Sequence, residues 1–411
     1  MMKLKSKLSR LQSQTGNRQS AVQPGSAGSD LLRRLERIRI DRLSPVPAQI
    51  DHKSTEETLA QRLKGYLIAD GVIQVEKRLP LSGRLGRHPL NLLSNSLQLP
   101  GEGREAHLRQ VYIDTETTGL SGGSGTLAFL IGLAVVEGDA LVVTQYLITR
   151  FAGEAMMLKA FAKTLTADDR LVSYNGKSFD LPLMITRYQM QGESHPFDGL
   201  PHLDLLHPVR RLFSKRWPDC RLQTVEERLL GLQRLNDLPG SEAPDAWVDY
   251  IRQGRVEKLI RVVEHNRQDL VSLALAHAVL IQVIATPKSH DVDVVTLARW
   301  LSNYNGPEAF TLLKSTEQLL DVKGRRLLAD LARREEDWVL AIRLWEELAS
   351  HGCQDSAEQL AKYHEHVSQN LEVARRYCEQ LKPGTNRSRR LQRLEKKQHR
   401  HAVQLFFEPI L

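Results

Sequence analysis

The sequence predicts an α/β domain, a mixed sheet flanked by helices, followed by an all-α region of helical repeats. Three observations carry that reading. Residues 111–113, 129–137 and 141–149 are β-rich apolar runs, and the turn signal Gly138–Asp139 separates the last two as in a hairpin. Helical and strand patterns then alternate to about residue 285, as parallel neighbours joined by helices require. Beyond Pro287 the spacing is helical throughout.

In chain order, residues 1–50 are basic and open on a Ser-, Gln- and Gly-rich stretch without hydrophobic period. Such a segment buries too little apolar surface to fold and is expected to be mostly disordered. Residues 51–108 read as a poorly defined extension in which only 57–66 has helical spacing. The α/β domain is placed at 109–286: after the hairpin come a helix at 156–165, a strand at 171–174, a helix at 181–190 and a strand end at 203–205, then several helices. The apolar run 270–285 is shorter than the roughly 20 residues that cross a membrane and includes Ser272, His277 and Gln282, so a buried core helix is expected. Residues 292–384 match themselves at an offset of 33: Leu328 with Ala361, Asp337 with Asn370, Trp338 with Leu371, Ala341 with Ala374 and Leu348 with Leu381. Small and large apolar residues recurring on that period resemble tetratricopeptide repeats. Residues 385–411 read as a basic C-terminal tail.

The formal charge of +8 is concentrated at the two ends: ten Lys/Arg against three Asp/Glu in 1–50, eight against two in 382–411, and 39 against 44 between them. Basic ends around a mildly acidic body suit a polyanion such as nucleic acid; a solvated tail kept for solubility accounts for the same counts. Cys220, Cys353 and Cys378 are odd in number and lack CxxC spacing, which excludes a disulfide framework and a Cys-ligated zinc and fits a reducing cytoplasm. The N-terminus MMKLKSKLSRLQSQ has no apolar signal core, and no membrane partner is expected.

The chemistry is carried by acids. Asp114 and Glu116 are two apart at the end of a strand, so both point to one face. Two carboxylates in one pocket repel each other unless a cation joins them, and hard oxygen donors suit Mg²⁺ or Mn²⁺. Asp180 follows the strand at 171–174, and in His265-Asn266-Arg267-Gln268-Asp269 the outer two residues are four apart, on one helical face. Four carboxylates from separate elements, with a titratable imidazole, fit a phosphodiesterase site of two ions, one activating water and the other stabilising the leaving oxygen, and His265 taking the water's proton. Other polar groups are weaker candidates. Asp204 reads as structural in preference to an outer-shell acid or a fifth ligand, and Arg210, Arg211, Lys215 and Arg216 as a phosphate grip or a solvated helix face.

Three segments resemble the exonuclease motifs of the DEDD superfamily, whose fold is RNase H-like: Asp-Thr-Glu-Thr-Thr-Gly-Leu (114–120) the first, Asn-Gly-Lys-Ser-Phe-Asp-Leu-Pro (175–182) the second, in the form seen in family B polymerase proofreading domains, and His-Asn-Arg-Gln-Asp (265–269) the third. Residues 121–133 and Leu-Asn-Asp-Leu-Pro-Gly (235–240) resemble the bacterial YprB-like RNase H-like proteins, which are often coupled to tetratricopeptide repeats. The resemblance covers about 105–285, and the helical repeats loosely. It implies that Asp114, Glu116, Asp180 and Asp269 ligate two Mg²⁺ or Mn²⁺ ions and that His265 is the general base. It also implies that Thr117, Thr118, Gly119 and Leu120 line the nucleotide end and that Asn175 steadies the second motif. There is one departure: His265 precedes the last Asp by four positions, the spacing of the family's tyrosine branch, where its histidine branch uses five.

The resemblance thus implies a metal-dependent 3′→5′ exonuclease acting on single-stranded nucleic acid. Two other readings stand beside it. One is a catalytically weak nucleic-acid-binding scaffold, whose helical repeats would offer a protein partner a concave surface. The other is a structure-specific endonuclease on the same fold. The ligand acids do not distinguish RNA from DNA, because that choice rests on contacts to the 2′-OH.

Overall fold

In the computed structural model, which describes residues 52–119, 125–234 and 238–407, helix α1 (His52–Leu63) leads into strands β1 (Tyr66–Ala69) and β2 (Val72–Pro80). A two-stranded ribbon, β3 (Arg84–Leu85) and β4 (His88–Pro89), follows, then β5 (Arg109–Thr117), β6 (Ala128–Glu137) and β7 (Ala140–Ile148). Next come α2 (Glu154–Ala162), β8 (Asp169–Ser173), α3 (Asp180–Met190), β9 (His202–Asp204), α4 (Leu206–Phe213), α5 (Ala243–Gln253) and the long α6 (Glu257–Ala285). One sheet takes seven of these strands in the order β1-β2-β7-β6-β5-β8-β9. Pairing is antiparallel from β1 across to β5 and parallel from β5 to β9, so the sheet is mixed, as expected.

The antiparallel part is larger than the sequence suggested, because the extension before residue 109 joins it. Strand β2 pairs with β7 along its whole length, from Val72 opposite Ile148 to Pro80 opposite Ala140. Its sequence, VIQVEKRLP, is buried only in its first half and carries charges in its second, so no alternation marks it as a strand. Helix α1 is clamped beside this edge. Its buried Glu56 accepts from Arg150 at 2.7 and 2.9 Å and from Thr149, just past the end of β7.

Helices cover both faces of the sheet, which is why every residue of β7 is buried. On one face α1, α2, α3, α5 and the start of α6 pack around Phe129 and Trp247, whose rings stack at 5.5 Å, and Trp247 Nε1 donates to the Ile148 carbonyl at 2.8 Å. On the other face α4 and the rest of α6 meet Tyr112, Val143 and Val172 in a core that runs on without a break into the C-terminal helices. Among the described residues α6 is the one helix long and apolar enough to cross a membrane. Here it is the wall shared by the two cores.

The C-terminal region is all helical: α7 (Val294–Leu301), α8 (Gly306–Lys314), α9 (Val322–Arg334), α10 (Trp338–Ser350), α11 (Gln354–His366), α12 (Leu371–Glu379) and α13 (Thr385–Phe407). The offset of 33 is visible in its caps. Asp337 accepts from the Leu340 amide at the start of α10, and Asn370 does the same for Val373 at the start of α12, both at 3.1 Å. Ala341 and Ala374 are fully buried at matching points. Residues 385–407, read from sequence as tail, form α13. What the charge count hid is their partner: the buried Glu365 of α11 accepts from Arg390, Arg393 and Lys397 at 2.6–3.0 Å. The expectations for residues 1–50 and for the last residues of the C-terminal tail, 408–411, lie outside the described residues.

Candidate active site

The first motif lies on β5, central in the sheet, where Asp114 stands opposite Gly132 of β6 and Glu116 opposite Leu130. Register shifts between Glu116 and Thr117, so the strand leaves the ladder at the acids and the chain turns. That turn is closed on itself: Thr118 and Leu127 exchange backbone and hydroxyl hydrogen bonds at 2.9 and 3.0 Å, and Thr117 Oγ1 donates to the Gly119 carbonyl at 2.8 Å. Thr117 and Thr118 thus shape the turn expected to meet the nucleotide. Leu120 lies outside the described residues.

The second motif is the link from β8 to α3. Asn175 takes a left-handed φ of +69°, a conformation that asparagine tolerates better than most residues. What holds the link is Asp204, at the end of β9: its carboxylate accepts from the Asn175 amide at 2.7 Å and from the Lys177 and Leu206 amides at 3.1 Å. Asp204 is therefore a structural acid, the reading the sequence favoured, while Asn175 contributes its backbone. At the start of α3, Asp180 accepts from Thr115 Oγ1 at 2.5 Å. Phe179 beside it is 56% exposed, a flat apolar ring at the site's edge.

The third motif is on α6. Asn266, buried between the expected base and the sheet, donates to Asp114 Oδ2 at 2.8 Å and accepts from Gln145 of β7 at 2.8 Å. It ties α6 to both strands. One turn on, Asp269 lies 3.5 Å from His265 Nε2, so the pair shares a face as the spacing required.

The acids are near enough for three of them to bear on the fourth, Asp114. Burial, and then the negative charges of Asp269, Asp180 and Glu116, raise the Asp114 carboxyl well above its ordinary range, against one hydrogen bond from Asn266. Burial raises Asp180 as well, and Asp204 adds to it, while the Thr115 hydrogen bond opposes them. A set of mutually repelling oxygen donors fits a hard divalent cation in kind. The set is not drawn in: among the described residues no three His, Cys, Asp or Glu side chains are gathered closely enough to hold an ion. Asp269 instead meets Arg234, which also reaches His265 Nδ1 at 3.0 Å and the buried Glu226 at 2.6 and 2.8 Å. Arg234 and Glu226 were not singled out in the sequence, although Arg234 directly precedes the 235–240 segment that was. Three of the four basic residues proposed as a phosphate grip have other partners. Arg211 lies 4.5 Å over the Trp300 ring, and Lys215 and Arg216 pair with Asp293 and Asp291.

The mixed seven-stranded sheet flanked by helices is an RNase H-like fold. A family model described as RNase_H superfamily matches residues 111–280, which run from β5 through most of α6. The uncharacterized protein YprB of Bacillus subtilis (strain 168) is 31% identical over 350 residues, covering 79% of this chain and 84% of that protein, and the chain belongs to its family. Among solved structures, the family B DNA polymerase from the hyperthermophilic archaeon Pyrobaculum calidifontis superposes with a TM-score of 0.31 at 15% identity, over 64% of this chain and 35% of the polymerase.

Proposed function

We propose that this chain is a metal-dependent nuclease that hydrolyses single-stranded nucleic acid from its 3′ end. The observation that carries the reading is the convergence of β5, α3 and α6 on acids: Asn266 of α6 donates to Asp114, Thr115 of β5 donates to Asp180 of α3, and the charges of Asp269, Asp180 and Glu116 bear on Asp114. Partly buried carboxylates that repel one another destabilise a fold unless a cation offsets them. These four residues would hold Mg²⁺ or Mn²⁺, which when bound supplies transition-state charge stabilisation and a nucleophilic water at neutral pH. The chain supplies the rest. Asn266 and Thr115 orient two of the acids, the 117–119 turn and the Asp204-braced link frame the strand terminus, and the exposed Phe179 ring offers a terminal base a stacking surface. The helical region beyond α6 is proposed to receive a protein partner.

The test uses end-labelled single-stranded RNA and DNA of equal length, with Mg²⁺ or Mn²⁺, and wild type beside Asp114→Ala. A ladder shrinking from the 3′ end, absent with the variant, is expected. Equal cleavage by both proteins would remove Asp114 from the chemistry. Cleavage of closed DNA circles would make the enzyme an endonuclease. Intact strands that are still retarded on a gel would leave a binding scaffold, the reading that the Arg234–Asp269 pair favours.

A further inference from the structure

We infer that Arg234 is a latch on this site, a positioning residue that holds Asp269 and His265 while no divalent cation is bound and must release both when one arrives. The inference rests on the metal-dependent reading and adds to it a control of the same acids.

The geometry is specific. Glu226, fully buried in the helical segment before Gly231, takes the guanidinium in a two-point clasp, Nε at 2.6 Å and Nη2 at 2.8 Å, and also accepts from Ser272 of α6. The guanidinium is thus anchored from its far side, with its side chain only 11% exposed. Its other edge faces the site. Nη2 donates to Asp269 Oδ1, and Nη1 lies 3.0 Å from His265 Nδ1. Arginine carries donors and no acceptor, so Nδ1 must be the acceptor and the ring proton sits on Nε2, 3.5 Å from Asp269 Oδ2. In this state the imidazole lone pair that a general base needs is engaged by Arg234. The carboxylate that would complete the ligand set is neutralised by the same side chain. A cation arriving at Asp269 brings a second positive charge to a carboxylate already paired, so cation and guanidinium compete. Arg234 and the three residues before it, 231–233, lie in neither helix nor strand, so it can withdraw without breaking a ladder.

The experiment is a Mn²⁺ titration of the full chain followed by electron paramagnetic resonance, with wild type, Asp114→Ala, Arg234→Lys and the double variant Arg234→Gln/Glu226→Gln. The double change removes both members of the Arg234–Glu226 pair, so Glu226 is not left as an unpaired buried charge. It is expected to bind Mn²⁺ about ten-fold more tightly than wild type, the equivalent of about 1.4 kcal/mol. The ¹⁵N spectrum of metal-free His265 is expected to pass from one tautomer in wild type to a mixture in the variant. Arg234→Lys keeps the charge but cannot span three partners at once, and it decides the matter even if the double variant does not fold: tighter Mn²⁺ supports the latch. Unchanged or weaker binding in these variants, with binding still lost in Asp114→Ala, overturns the latch and leaves the metal site standing. Absence of Mn²⁺ binding in every protein, wild type included, overturns the latch and the metal-dependent reading together.

Discussion

Gly132 shows how closely α6 approaches the acids. It faces Asp114 across the β5–β6 ladder, and a Cβ placed on it would lie 2.2 Å from Asn266 Oδ1 and 2.6 Å from Leu270 Cδ1. Gly132→Ala is therefore expected to lower stability by about 1–3 kcal/mol and to weaken Mn²⁺ binding, since Asn266 must leave Asp114 to make room. Urea unfolding and the metal titration check the two effects, and an alanine variant as stable as wild type would show that the contact relaxes freely. The acids were legible in the sequence because their spacing is itself the signal. Asn266, Thr115 and Arg234 were not, because their roles exist only across the fold: Asn266 meets Asp114 from 152 positions away and Gln145 from 121.

Elements were legible where hydrophobic period and turn chemistry agreed, as in the β6–β7 hairpin, α3 and β9. They were hidden where their stability comes from a distant partner, as with β2 on β7 and α13 on Glu365. Helix α13 gives a prediction with a sign. Burial by itself would raise the Glu365 carboxyl, but hydrogen bonds from Arg393 and Lys397 outweigh it and bring the group down to about 2. A lowered carboxylate contributes stability that is complete above its unfolded value of about 4.3 and fades as pH falls toward 2. Docking of α13 should thus hold at neutral pH and loosen between those limits. Limited proteolysis at the 380–385 link should follow the same curve, and Glu365→Gln should be cut readily at pH 7. Resistance of that variant at pH 7 would show that the apolar contacts of Leu394 with Ala361 and Ala374 suffice without the ion pairs.

Because one apolar core passes from the sheet through α6 into α7–α11, the described chain has no seam between sheet and helices. Calorimetry is expected to show one cooperative transition for this body, with calorimetric and van't Hoff enthalpies in agreement. A chain ending at residue 289 uncovers the side of α4 on which α7 packs and should bind a hydrophobic dye or aggregate. Two well-resolved transitions, or a monomeric and sharply melting fragment, would contradict this. The same helix has a mechanical consequence. From His265 to Ala285, α6 runs about 30 Å at 1.5 Å per residue, with the acids' partners at one end and the packing of the C-terminal helices at the other. It is a lever whose two ends cannot move independently. Anything gripping the far helices firmly enough to tilt it re-spaces Asn266 and Asp269 against β5, and linkage then makes cation binding felt at the far end in equal measure.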